Sequence, residues 1–524
     1  MHHRRTFLAL APLALLSLVG CNDHPLKPIC YGHWSETTTQ VSLDSRRKVD
    51  ILFVIDDSGS MGEEQGALAA NFSALVEQLE SLEVGADYRI GITTTDNPSC
   101  DHDDTELGAL KMRTCLSHIG DFVSPTGDDR RDEACRSQCP AELEGLAPVP
   151  TALQDGGPLA PRPWLERNDI SSNVPEGVTT AQALACWGPQ GLMGCGYEAP
   201  LEAVLAAFAH SEDDDDPAAG FLRDDALLQV VIVTDEVDCS IAPGGEAAFD
   251  PDGSRTLWGN FPGDRAPSAV CWRAGMACQT LPDGRTECVP ADIDSEGRPT
   301  TPDDAVLFPV SRYIEALQEL DARKRAHMGT DDAQVLLSVI AGVPQGWDGA
   351  PLDYGPGDDQ DFYDNFGVGA GCRSDMGEAV PPARILSVAG ELGEANVFSI
   401  CDGDYRPALQ AIGGRLVEQL SRPTCIEPGR ELIGDDQIDG CWVERRVGDT
   451  VLPVPSCDRT ADGWALGAGQ TLCSYIVTDE LNPRCIDEGS DIEQRYLYQE
   501  GVEFGEVVVT CAVQTGGECG PSGE

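Results

Sequence analysis

The residues with the clearest chemical potential lie directly after an apolar stretch near the start of the chain. Residues 49–55 are apolar except for Asp50 and rich in β-branched side chains, which is typical of a central parallel strand covered on both faces. Asp56, Ser58 and Ser60 follow at alternate positions in a loop that contains a glycine. Carboxylate and hydroxyl oxygens are hard ligands that can converge on one small cation. The spacing therefore predicts a divalent-cation site at the carboxyl end of a strand, where ligands bind in open α/β sheets.

This Asp-x-Ser-x-Ser loop after a hydrophobic strand resembles the metal-ion-dependent adhesion site of the von Willebrand factor A (VWA) domain, which occurs in integrins and many bacterial surface proteins. An ordinary solvated turn is the alternative for the loop taken alone. A second apolar strand, predicted at 227–234, ends in Thr234 and Asp235. The family supplies a third-loop metal carboxylate at this place, so the resemblance implies that Asp235 joins Asp56, Ser58 and Ser60.

The family also takes a threonine from the loop before its middle helix, and here the chain departs from the pattern. Residues 192–198 contain neither serine nor threonine. Glu198 or Thr95 is the candidate substitute, and otherwise the site is incomplete. Two carboxylates and two hydroxyls suit Mg²⁺ or Mn²⁺, with water completing the shell. In the family a carboxylate from a bound partner fills the open position of the metal.

A second acidic loop is a candidate calcium-binding site. Asp292 and Asp294 begin a stretch that resembles an EF-hand loop, with Asp303 at the twelfth place. Pro299 and Pro302 interrupt it, and a plain acidic turn is the alternative. Ca²⁺ is therefore a further candidate cofactor beside Mg²⁺ and Mn²⁺.

The first 21 residues are predicted to be a targeting segment. Arg4 and Arg5 precede an apolar run at 7–19 that is too short for a permanent transmembrane helix. Residues 18–21, Leu-Val-Gly-Cys, resemble a bacterial lipoprotein cleavage box, so Cys21 is expected to carry the lipid. An ordinary secretory signal is the alternative, and the general secretory and twin-arginine routes both fit the arginine pair. The expected location is the bacterial cell envelope, at the periplasmic face of the outer membrane or at the cell surface.

The charge of the chain limits its partners. The sequence has 89 acidic and 35 basic residues, a net charge of -54, and removal of Arg4 and Arg5 with the signal makes it -56. Nucleic acids and anionic membranes are bound through Lys/Arg patches, so both are excluded as expected partners, and the membrane is reached only through the lipid. A protein ligand that offers a carboxylate, or a cell-wall glycan, remains.

The cysteines predict a disulfide framework. Of 21 cysteines, 20 remain when Cys21 is set aside, and the closest spacing is Cys135 to Cys139, which excludes Cys-x-x-Cys metal and redox motifs. Thirteen precede residue 422 and seven follow it, so full pairing requires a bridge across that boundary. Some VWA domains join their two ends in this way. The resemblance therefore suggests a bridge between Cys30 and Cys425.

Alternating helices and buried strands predict an α/β fold with a doubly wound, mostly parallel sheet of VWA or Rossmann-like type. The expected helices cover 63–82, 198–210, 309–325, 381–392 and 405–420, and the expected strands cover 49–55, 88–94, 227–234, 334–342 and 396–401. The predicted organisation is a signal at 1–21, a tether at 22–45, a VWA domain at 46–421 with insertions near 97–191, 237–302 and 343–380, and a small Cys-rich β module at 422–524.

The sequence favours a binding protein over an enzyme. It contains no Gly-x-Ser-x-Gly, His-Glu-x-x-His or Walker motif, and no catalytic residue is assigned. The leading hypothesis is a lipid-anchored, exported adhesion protein that engages a partner through a divalent cation. The first alternative is a structural envelope protein with a silent metal loop, and an enzyme of unrecognised type is the second.

Overall fold

A computed structural model describes most of the chain between residues 33 and 515. The described ranges are 33–42, 48–81, 86–97, 107–153, 157–168, 171–328, 330, 332–393, 395–420, 424–426, 432–433, 437–438, 441–447, 450–460, 463–479, 481, 485–486, 489–498 and 506–515. The expected signal segment and Cys21 lie outside these residues.

The strands and helices of the described residues follow one another in a mixed order along the chain. The strands are β1 (His33–Ser42), β2 (Lys48–Ile55), β3 (Asp87–Thr94), β4 (Trp164–Arg167), β5 (Leu227–Val233), β6 (Met276–Thr280), β7 (Thr286–Pro290), β8 (Val335–Ala341), β9 (Cys372–Ser374), β10 (Gly377–Ala379), β11 (Asn396–Ser399), β12 (Thr424–Ile426), β13 (Leu432–Ile433), β14 (Gln437–Ile438), β15 (Cys441–Val447), β16 (Thr450–Pro453), β17 (Asp458–Thr460), β18 (Gly463–Ala465), β19 (Leu472–Val477), β20 (Ile492–Tyr498) and β21 (Glu506–Thr515). The α-helices are α1 (Gly62–Leu79), α2 (Thr180–Trp187), α3 (Pro200–Glu212), α4 (Ala269–Gly275), α5 (Val310–Met328), α6 (Gln360–Phe366), α7 (Ala383–Glu391) and α8 (Arg406–Leu420).

The central sheet has six strands in the order β11-β8-β5-β2-β3-β4. The first five are mutually parallel, and β4 pairs with β3 in the antiparallel sense. All residues of β5 and β8 are buried, as are all of β2 except Lys48. Such two-sided burial explains the continuous apolar runs in these segments.

Two apolar clusters cover the two faces of this sheet. Ile51 and Phe53 of β2 belong to a cluster that contains residues of α1, α2 and α8. Leu52 and Val54, which point the other way, belong to a second cluster with residues of α3, α5 and α7. The alternation of side chains along a strand produces this division. The expected mixed α/β architecture with a largely parallel sheet is therefore confirmed, while its assignment to the VWA type stays a prediction.

The insertions carry their own structure and disulfides. The first contributes the edge strand β4 and helix α2, neither of which the irregular sequence at 97–191 had predicted. Four bridges lie within the first two insertions, and a fifth joins the third insertion to the segment after β11: Cys115–Cys135, Cys139–Cys186, Cys239–Cys271, Cys278–Cys288 and Cys372–Cys401. Cys195 is disulfide-bonded as well. The predicted disulfide framework is confirmed in these residues, and it fits an oxidising compartment outside the cytoplasm.

The strands β12 to β21 follow residue 423. β12, β20 and β19 form one antiparallel sheet, and β1, β21, β15 and β16 form another. The strand β1 lies in the segment 22–45 that we expected to be a tether. Its backbone pairs with β21 over ten residues, from His33 opposite Thr515 to Ser42 opposite Glu506. At least this part of the segment is therefore a sheet strand. The sequence did not predict it, because its partner strand lies almost five hundred residues away and could not be inferred from local sequence.

The suggested bridge between Cys30 and Cys425 is wrong. Cys425 is bonded to Cys485, with a Cα–Cα distance of 5.2 Å. Cys425 lies on β12 and Cys485 in the connection between β19 and β20, so the antiparallel pairing of β12 with β20 brings the two together. Cys30 lies outside the described residues. Two further bridges, Cys441–Cys511 and Cys457–Cys473, also stay within the C-terminal part.

None of the helices in the described residues combines the length and the apolar character needed to cross a membrane.

Candidate functional site

Asp56 is positioned by the end of β2 in the middle of the parallel sheet. It is fully buried, and its amide donates to the carbonyl of Val233 at the end of β5. One carboxylate oxygen accepts the Ser58 amide at 2.8 Å, and the other accepts the Thr234 hydroxyl at 2.6 Å. These contacts fix the carboxylate at the carboxyl edge of the sheet.

The two serines connect Asp56 to Asp235. The hydroxyls of Ser58 and Ser60 lie 3.1 Å apart, and the Ser60 side chain lies close enough to the Asp235 carboxylate to lower its pKa. The structure thus brings all four residues of the predicted site together. Gly59 and Ser60 are exposed, whereas Asp56, Ser58 and Asp235 are buried, so the site opens to solvent at the tip of the loop. Their role as metal ligands stays a prediction.

Thr95 and Glu198, the two candidate substitutes for the missing threonine, contact each other. The Thr95 hydroxyl donates to one carboxylate oxygen of Glu198. Both residues are buried, and the charge of the Glu198 carboxylate interacts with that of Asp56. The pair therefore lies beside the four-residue site, on the side of β3.

Four carboxylates around this edge have a buried oxygen without a hydrogen-bond partner among the described residues. They are Oδ1 of Asp57, Oε2 of Glu64, Oε1 of Glu198 and Oδ1 of Asp235. A buried carboxylate that lacks partners is costly, since its charge has lost its hydration. A divalent cation would compensate such charges, so the donor set fits the predicted cofactor.

The pKa values of these carboxyl groups reflect the same crowding of acidic groups. Burial, followed by the charge of Asp56, raises the pKa of Asp235 to about 7. Burial, followed by the charge of Asp235, raises the pKa of Glu64 to about 8. Burial also raises the pKa of Glu198, with Asp56 as the second cause, and that of Asp57, with Asp96 as the second cause. Each carboxyl is therefore harder to ionise while no cation is bound.

The structure contains no cluster of three or more typical metal-binding side chains in the residues that it describes. Within the part of the chain that is described, no three His, Cys, Asp or Glu side chains are arranged so that they could hold one ion. The predicted site has only two carboxylates and completes its donor set with hydroxyls and water. In the EF-hand-like loop the Asp294 carboxylate accepts the amides of Glu296 and Arg298 and pairs with the Arg298 guanidinium at 2.9 Å. A calcium site at this loop stays a prediction.

Several residues that the sequence analysis did not single out hold this edge together. Gln65, in the first turns of α1, donates to the carbonyls of Asp56 and Gly191 at 2.8 Å each, and its own oxygen accepts the Gln190 amide. Asp96 accepts the Cys195 amide at 2.8 Å. These contacts fasten the end of the first insertion to the Asp-x-Ser-x-Ser loop. In the sequence, only the acidic pair at 56–57 and the Thr-Thr-Asp run at 94–96 indicated that polar groups gather at this edge.

Comparison with known proteins assigns no family. No protein-family model matches the chain, and no curated protein is similar to it. Solved structures that are similar include two forms of the pilus adhesin SpaC from Lactobacillus rhamnosus GG. The open conformation is 9% identical with a TM-score of 0.29, covering 92% of this chain and 41% of the adhesin. The second form is 10% identical with a TM-score of 0.30, covering 93% and 42%. The chain spans about two fifths of these adhesins, and TM-scores this low do not establish a shared fold.

Proposed function

We propose that this protein is an exported, lipid-anchored binding protein that engages a partner through a divalent cation in a VWA-type domain. Asp56, Ser58, Ser60 and Asp235 hold Mg²⁺ or Mn²⁺, and the exposed tip of the loop admits the partner. The cation supplies a coordination position that a partner's oxygen can fill. The role is adhesion or capture, without catalysis.

The observation that carries this proposal is the unpartnered Oδ1 of Asp235. The side chain is 7% exposed, lies next to the Ser60 hydroxyl and interacts with the charge of Asp56. A carboxylate oxygen in this environment lacks the hydrogen bonds that normally offset its burial. A cation between Asp235 and Asp56 would compensate both charges at once.

The order of the strands supports the VWA assignment. Asp56 and Asp235 follow β2 and β5, which are adjacent and parallel at the centre of the sheet. Helix α1, which follows β2, packs on one face, and α5, which lies between β5 and β8 in the chain, packs on the other, as a doubly wound sheet requires. The eight bridges in the described residues favour export, and Cys21 is the proposed attachment point of the lipid.

Calorimetry tests the metal site. Mg²⁺ and Mn²⁺ are titrated into the full oxidised chain in detergent and into Asp56→Asn and Asp235→Asn, which keep the shape of each side chain but remove its charge. We expect binding in the wild type and a loss of at least about tenfold in affinity in both variants, because each removes an anionic ligand. Asp252→Ala, at an exposed position of the second insertion, is the control and should bind as the wild type does.

Equal heats in the wild type and both site variants would show that the cation binds elsewhere. A folded wild type that binds neither ion would favour the alternative of a structural envelope protein with a silent loop. Circular dichroism of each variant distinguishes loss of binding from loss of folding.

A further inference from the structure

Glu198 is held in one orientation beside the proposed cation site. Its backbone carbonyl accepts the amide of Cys239, and the next residue, Ala199, donates its amide to the carbonyl of Thr95. The side chain is 1% exposed, and one of its oxygens accepts the Thr95 hydroxyl. The other oxygen, Oε1, has no hydrogen-bond partner among the residues that the structure describes. The carboxylate is therefore held in place by its neighbours and is shielded from solvent.

The free oxygen of Glu198 belongs to the acidic cluster. The carboxylate interacts with the charges of Asp56, Asp57 and Glu236. A threonine, which the VWA pattern places in this loop, would be neutral. A divalent cation favours the ionised form of the carboxyls around it. The charges of Asp56 and Asp235 balance the cation, so an ionised Glu198 leaves a net negative charge around it.

Resting on the cation site proposed above, we propose that Glu198 makes this site selective for neutral oxygen ligands, such as the hydroxyls of a carbohydrate, and unfavourable for carboxylates. A carboxylate at the open position would bring a further negative charge close to Glu198. Like charges that lie close together in a buried site repel strongly, whereas a hydroxyl or amide oxygen brings no net charge. The proposed partner therefore presents a neutral oxygen, such as a carbohydrate hydroxyl, in contrast to the acidic partner that the family resemblance implies.

The surroundings of the opening agree with a neutral ligand. Ser124 and Pro125 approach Gly59, and Met193 is 45% exposed in the loop that precedes Glu198. The nearby Arg130 is engaged by Glu63 at 2.6 Å and by Glu133 at 3.1 Å. Its charge is therefore already balanced by two carboxylates of this chain.

Water-proton relaxation of the Mn²⁺-loaded full chain tests this inference, since it detects displacement of water from the metal. Acetate and acetamide serve as probes of similar size, one anionic and one neutral. The variant Glu198→Gln keeps the shape and the contact with Thr95 but removes the charge, and Glu198→Thr introduces the family's residue. Glu142→Gln, at an exposed position, is the control.

The measured quantity is the affinity for acetate relative to that for acetamide. We expect this ratio to be at least about tenfold lower in the wild type and Glu142→Gln than in the two Glu198 variants. An equal ratio in all four proteins would overturn the inference while leaving the cation site intact. Ready displacement of water by acetate in the wild type would overturn it as well, even if a variant failed to fold. Absence of Mn²⁺ binding in the wild type would reject the proposed function itself and the inference with it.

Discussion

At the scale of single residues, the candidate site is defined by carboxylates that are buried before any cation is present. Asp56 satisfies its two oxygens with Ser58 and Thr234, whereas Asp235 leaves one oxygen without a partner. Each hydroxyl between them can donate to one carboxylate and still offer a lone pair to a metal. The residues are thus prepared for a cation but destabilise one another without it.

This arrangement predicts an unusual pH dependence of stability. The folded-state pKa values of Asp235 and Glu64 are raised to about 7 and about 8, above those of the unfolded chain. Between about pH 4.5 and pH 8 the folded protein therefore holds more protons, and its free energy of unfolding falls as the pH rises. We expect a lower melting temperature in EDTA at about pH 8.5 than at about pH 5, and recovery on addition of Mg²⁺ because the cation favours the ionised carboxylates.

The variant Glu64→Gln removes one of these groups without touching the four proposed ligands. It should reduce the decrease in melting temperature between the two pH values, whereas Asp252→Ala should leave it unchanged. A metal-free wild type that is equally stable at both pH values would contradict the electrostatic account. Scanning calorimetry of the full chain gives the required melting temperatures.

At the scale of elements, the site depends on three adjacent parallel strands that end at one edge. β5, β2 and β3 place Asp235, Asp56 and Thr95 there in spatial order. The loop before α3 packs against this edge at Gly194. The Gly194 amide donates to the carbonyl of Asp57 at 2.8 Å. This close backbone approach explains a glycine at this position.

Two glycines in the same loop provide a matched test of that packing. A Cβ atom at Gly194 would lie 2.4 Å from Oδ1 of Asp57, whereas a Cβ atom at Gly196 would meet nothing within 4 Å. We expect Gly194→Ala to lower the free energy of unfolding by about 1 to 3 kcal/mol and to weaken Mn²⁺ binding, because overpacking displaces the loop beside Asp56. Gly196→Ala should change neither quantity. Urea titration and calorimetry measure the two effects, and equal behaviour of both variants would contradict this packing.

At the scale of the whole molecule, disulfides cross-link a strongly acidic chain. The net charge of -54 opposes compaction, and covalent links offset this by restricting the unfolded state. Six of the seven cysteines after residue 422 are bonded to one another, which leaves Cys519. If all 20 cysteines pair, Cys519 must be bonded to a cysteine of the first part.

The register of β1 against β21 predicts which cysteine is bonded to Cys519. His33 lies opposite Thr515, and Cys30 precedes this pair by three residues while Cys519 follows it by four. We therefore expect a Cys30–Cys519 bridge. Cys100 and Cys195 are then the two cysteines that remain, so we expect them to be bonded to each other. Mass spectrometry of peptides from a non-reduced digest should identify both links. A free Cys519, or a link from Cys519 to Cys100, would contradict the prediction.

The sequence by itself determined the local parts of this protein. The apolar periodicity located the five parallel strands and the five main helices within a few residues, because burial on one or two faces imposes a pattern that is readable along the chain. It also identified Asp56 and Asp235, since both follow buried strands directly. Tertiary structure decided what depends on distant pairing. The strand β4, the pairing of β1 with β21, the Cys425–Cys485 bridge, and the contacts of Gln65 and Glu198 all join residues far apart in sequence, and no local pattern encodes which distant partner a residue meets.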